Sequence, residues 1–105
     1  MSKTNEQADP ELLAGWVVAV ILAQPLAGGM RCYVGEVQRA SAQGLRITHI
    51  DWLSGEFAGA DFWFPWNTIA AIEVYTHEHN LEGVDLGKIQ TRHNGPGLVS
   101  REAQA

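Results

Sequence analysis

Two histidines two residues apart, His77 and His79, fall on one face of an extended strand. That spacing suits a metal ion if a third ligand such as Glu82, Asp85 or His93 folds back onto it. The competing reading is a solvated strand end, since no second ligand motif accompanies the pair. His49 and Asp51 repeat the spacing, but no serine or lysine nucleophile can be assigned to them, and they read as rim residues. Cys32 is the only cysteine, so an internal disulfide is excluded. It alternates with Val34 in a strand-like stretch and reads as a small buried side chain, not a reactive thiol. Gly28-Gly29 and Gly95-Pro96-Gly97 lack the spacing and the following lysine or acid of a nucleotide-binding loop. No catalytic residue and no cofactor site is expected.

The aromatic residues carry more information. In an extended strand Phe62, Phe64 and Trp66 point to one face and Trp63 to the other. They read either as core and subunit-interface residues or, where exposed, as a platform for stacking bases or docking a proline-rich peptide. Trp52 and Trp63 are the rings to test. Charge divides the chain in two. Seven Lys and Arg against twelve Asp and Glu give a net charge of −5, the wrong sign for holding a phosphate backbone by bulk electrostatics. No Lys or Arg lies between Ile47 and Gly87, a span holding seven acids. Arg31, Arg39 and Arg46 precede it, and Arg39 and Arg46 flank the Ser41–Gly44 turn to make a small basic spot.

The elements that must position these residues follow from punctuation and alternation. The 105 residues suit one domain. Residues 1–8 read as a disordered lead-in. Asp9-Pro10-Glu11 has the form of a helix start, with Asp9 as N-cap and Pro10 at the first helical position, and Gly15 ends that short helix. Trp16–Leu22 is β-branched and apolar on both alternations, as for a strand covered on both faces. Arg31–Arg39, Leu45–Leu53, Glu56–Trp66 and Ile69–Thr76 follow as four more strands, with Gly55 and Gly59 marking a turn and a bulge. The expected fold class is all-β: a small five-stranded SH3-like or Sm-like barrel with a short N-terminal helix, over residues 9–80. Residues 81–105 form a polar extension. Leu81–Ile89 makes one local element, a helical turn or an extra edge strand, and residues 94–105 a mobile tail. Met1–Asp9 lacks the basic-then-apolar order of a secretion signal. The longest apolar run, Trp16–Ala23, falls well short of the ~20 residues of a membrane span, so a cytoplasmic protein away from membranes is expected.

The text Arg31-Cys32-Tyr33-Val34-Gly35-Glu36-Val37 resembles the first signature of the Sm-like (Lsm) proteins, in which a basic residue, an aromatic, a glycine and an aliphatic recur along the second strand. Leu45 and Ile47 fall where the family's third strand begins. Phe62–Ile72 is similar in outline to the family's fourth strand, tight turn and fifth strand. The resemblance spans residues 10–76 and rests on hydrophobic spacing and one glycine. Pro65-Trp66 stands where the family usually has Arg-Gly, and Ser41 and Gly44 stand where it has Asp and Asn. The Lys-His pair of the family's bacterial branch is absent.

The resemblance implies a barrel that assembles edge to edge into a ring. The sparsely charged fourth and fifth strands support a cyclic homo-oligomer, with a symmetric dimer as the alternative. The expected interface residues are Phe62, Trp63, Phe64, Trp66, Ile72 and Val74. RNA is the ligand the resemblance implies, with Arg39, Ser41, Gly44, Arg46 and Asn67 as contacts. A protein partner at Trp63 and Trp66 is the competing reading, and a structural oligomer without a ligand the third.

Overall fold

The computed structural model describes residues 13–26, 28–77 and 81–94. Five strands are formed: β1 (Trp16–Leu22), β2 (Cys32–Ala40), β3 (Gly44–Ile50), β4 (Phe57–Pro65) and β5 (Ile69–His77). A 3-10 turn, Trp66–Thr68, joins β4 to β5, and a helix, α1 (Leu86–Asn94), follows. The strands make one open sheet in the order β4-β3-β2-β1-β5, antiparallel throughout. The chain is thus mostly β, as expected from its alternation. The expected helix starting at Asp9 lies largely outside the described residues. Leu13–Gly15 forms a turn there, and α1 is the one α-helix among the described residues. Gly15 sits in the left-handed region at φ +87° and its N–H donates to the Val37 carbonyl at 2.8 Å.

Placement of β1 inside the sheet, between β2 and β5, explains its unbroken apolar text. Val17, Val18, Ala19 and Val20 are all 0% exposed. Val18, Val20 and Leu22 face a core made with Tyr33, Val37, Leu45, Ile47 and Phe64. Val17 and Ala19 face a second core made with Cys32, Val34, Ile50, Leu86 and Ile89. The first core takes Phe64 from one edge strand, and Ile69 and Ile72 from the other pack against it, so the sheet curls around it. Gly35 permits that curl: a Cβ there would stand 2.5 Å from the Thr48 carbonyl oxygen.

The second core is roofed by α1. Asp85 begins the helix by accepting the Lys88 N–H at 3.0 Å, and Arg92 and His93 stand in its last turn. Leu86, Ile89 and Gln90 are the buried residues, the i, i+3, i+4 pattern of a helix docked along one stripe.

Candidate functional site

The Ser41–Gly44 turn and the Trp66–Thr68 turn are in direct contact. The Ser41 N–H donates to the Gly44 carbonyl at 2.9 Å, and Ser41 Oγ accepts the Gln43 N–H at 3.2 Å, which closes the β2–β3 turn. The indole N–H of Trp66 donates to the Ser41 carbonyl at 2.6 Å, and its backbone N–H to the Gln43 carbonyl at 3.2 Å. Trp66 is therefore a clamp between turns, half-buried, with its polar atom satisfied. Gly44 must be small here, since a Cβ would lie 2.4 Å from the Phe64 carbonyl oxygen. Asn67 is exposed beside this corner.

Arg39, Arg46 and Trp63 lie in a row across β2, β3 and β4, because Arg39 pairs opposite Arg46 and Arg46 opposite Trp63. Like charges directly opposed repel. Arg46 is drawn to Asp61 instead, with Nη2 at 2.6 Å and Nε at 3.0 Å from Oδ2, while the Thr48 hydroxyl donates to Oδ1 at 2.9 Å. Hydrogen bonds from Arg46 first, then from Thr48, hold the Asp61 carboxyl below its ordinary value. Arg39 has no acidic partner among the described residues and is the one unengaged guanidinium of the basic spot.

The aromatic set separates by alternation. Phe64 is buried, Phe62 half-buried, and their ring centroids lie 5.6 and 5.1 Å from that of Tyr33. Trp63 is 48% exposed on the other face. Trp52 is partly buried against the second core. Ile72 is half-buried, and Val74, 48% exposed, lies at the rim of β5.

His77 packs edge-on against Trp16, with ring centroids 5.0 Å apart. His79 lies outside the described residues. Among the described residues no three His, Cys, Asp or Glu side chains converge as a metal site.

One polar network was not legible in the sequence. Arg92 Nη2 donates to Glu73 Oε1 at 2.8 Å and to the Tyr75 hydroxyl at 2.9 Å, His93 Nε2 lies 3.2 Å from the same carboxylate oxygen, and the Tyr75 hydroxyl donates to it as well. The Tyr75 hydrogen bond is the main cause holding the Glu73 carboxyl below its ordinary value, while burial and then Glu73 push the Tyr75 phenol up. Beside it, Asn94 Oδ1 accepts the N–H groups of Arg31 and Cys32 at 2.7 and 2.9 Å, and its amide donates to the Cys32 carbonyl at 3.1 Å. A side-chain amide thus takes the role of a neighbouring strand for Cys32. Burial, then the charge of Glu73, pushes the Cys32 thiol up to about 12, against a lowering by Arg92. The network fastens α1 to β5 and to the start of β2. Its only advance signal is the pair of basic residues before Asn94, the helix-ending text Arg92-His93-Asn94.

No helix among the described residues is long and apolar enough to cross a membrane. No family model, curated protein or solved structure matches the chain.

Proposed function

We propose that the chain is a non-catalytic, self-associating binding module, a small Sm-like barrel whose curled sheet is completed when β4 of one copy pairs with β5 of the next. The observation that carries this is the pair of unpaired edges. Among the described residues β4 and β5 bound the sheet and each has one strand neighbour. Neither carries a Lys or Arg, the usual guard against edge pairing. Their acids are engaged, Asp61 by Arg46 and Glu73 by Arg92. Trp63 and Val74 are exposed along them. The irregularity of β4 lies in its first half, with Gly59 at φ +80° and a register shift between Thr48 and Ile50, whereas residues 61–65 pair with β3 in unbroken register.

Sedimentation across roughly 1–100 µM checks the reading against the usual micromolar range of self-association. The expected mass is a multiple of the 11.5 kDa protomer, in a closed assembly. Val74→Lys places a charge at mid-edge and is expected to shift the mass to the protomer while the circular dichroism spectrum stays unchanged. A single protomer-sized species of the native chain at every concentration overturns the reading.

For the ligand, engagement of Arg46 by Asp61 favours a protein partner over RNA. Only Arg39 at this corner remains for a phosphate without first breaking an ion pair.

A further inference from the structure

Where the β1–β2 loop passes β4, a half-open groove of about 500 Å³ runs beside the β4 edge. Leu22, Pro25 and Leu26 line it from the loop, Trp63 and Pro65 from β4, and Asn67 from the 3-10 turn. None of its lining residues is charged, although 19 residues of the chain are. A charged occupant would lose its water here without gaining a partner.

The groove is held open by backbone hydrogen bonds. Leu22 N–H donates to the Arg31 carbonyl at 2.8 Å, Ala23 N–H to the Thr68 carbonyl at 2.9 Å and Leu26 N–H to the Met30 carbonyl at 2.9 Å. The Thr68 hydroxyl donates to the Pro65 carbonyl at 2.7 Å, which fixes the turn. A preformed groove costs an occupant little ordering of the protein.

The polar side-chain groups at the groove include the indole N–H of Trp63, which is a donor alone, and the amides of Gln24 and Asn67, which both donate and accept. Unlike Trp66, whose indole N–H is consumed by Ser41, Trp63 has no hydrogen-bond partner for its indole N–H among the described residues, and neither has the Asn67 amide. An occupant that matches presents carbonyl oxygens, few competing N–H groups, no charge and compact apolar rings. A proline-rich segment in the polyproline II conformation has all four properties and is already extended before it binds. A half-open trough suits such an elongated chain better than a small molecule, which binds by being enclosed. A second copy of this chain supplies no such segment among the described residues, where Pro25 and Pro65 stand singly and line the groove themselves.

We propose that this groove binds an uncharged, proline-rich segment of a partner protein, with Trp63 as the anchoring ring and hydrogen-bond donor. The site goes beyond self-association and is tested separately from it. A capped decaproline peptide is titrated into the full chain by calorimetry, and the native mass of the same samples is measured. The expected result is saturable binding below about 1 mM, unchanged within about twofold between low and high salt, as for contacts without charge. Trp63→Ala should weaken it at least about tenfold, as for the loss of a central aromatic anchor, and Trp63→Tyr, which keeps a ring and a donor, by much less. Leu26→Asp lies in a loop outside the strands, brings a charge into the groove, and should weaken binding by a similar factor with the fold intact. Absence of saturable binding overturns the proposal. So does a decauridylate RNA that binds with a steep salt dependence and is lost in Trp63→Ala, or a fall in native mass in Trp63→Ala while the native chain leaves the peptide unbound.

Discussion

Cys32 shows how one side chain couples burial to solution conditions. Its thiol lies wholly inside the second core, and the neutral form is favoured up to about 12, against 9.0 for an ordinary thiol. Below pH 9 both the folded and the unfolded chain keep the proton and stability does not depend on this group. Above pH 9 the unfolded chain loses the proton and the folded chain holds it, so stability falls as pH rises toward 12. The urea midpoint of the native chain is therefore expected to drop between pH 8 and 9.5 more steeply than that of Cys32→Ala. This range lies below 10.0, the ordinary value of a tyrosine, about which the unfolded chain would lose the Tyr75 proton and add a slope of its own. Parallel slopes for the two proteins would show that the thiol is not held neutral. The burial of Cys32 was legible from its alternation with Val34. Its backbone pairing with Asn94 was not, because the contact joins residues 62 apart and no local rule links them.

Among the elements, α1 is fastened to the sheet through ionised groups. Glu73 on β5 receives Tyr75, Arg92 and His93, and its carboxyl is held below 4.5. A lowered carboxyl contributes stability that is complete above its ordinary value and is lost as pH falls through the folded one. Urea denaturation at pH 6 and pH 3 is expected to show a smaller loss for Glu73→Gln than for the native chain. An equal loss would mean that the network does not fasten the helix. The strands were read closely from the sequence: Trp16–Leu22 was expected with the same bounds it has, because a β-branched run between Gly15 and Pro25 leaves few alternatives. What covers its second face could not be read. Leu86-Gly87-Lys88-Ile89-Gln90 has only two large apolar residues, and the fit of Gln90 at 2% exposure depends on the sheet beneath it. Trp66 was likewise placed on the correct side of the aromatic alternation. Its role as a clamp comes from the 3-10 turn, which follows from Pro65 and the meeting of two loops. The corner of the site was thus partly visible: Ser41, Gly44 and Asn67 were expected among the contacts of one ligand, whereas the neutralisation of Arg46 by Asp61 required the register of β3 and β4.

At the scale of the whole molecule, charge opposes assembly while the edges favour it. Each copy carries a net −5 near neutral pH, with a sequence pI of about 5.2. Copies brought edge to edge above that pH repel, and salt screens the repulsion over roughly 8–10 Å. Self-association through β4 and β5 is therefore expected to strengthen from low to high salt at pH 8, read as a lower dissociation constant in sedimentation. Salt-induced dissociation would indicate that ion pairs, not strand edges and apolar side chains, join the copies.

The place of β1 in the sheet also bears on how the chain comes to be folded during synthesis. Of the five described strands β1 is made first, and it sits between β2 and β5. Its hairpin partner follows at once, but its other neighbour ends at His77, and the roof over Val17 and Ala19 ends at Asn94. A nascent chain therefore carries its most apolar strand half-paired and uncovered until residues 69–94 have left the ribosome. The long-range closure of β1 against β5 and α1 then completes the fold as a late step.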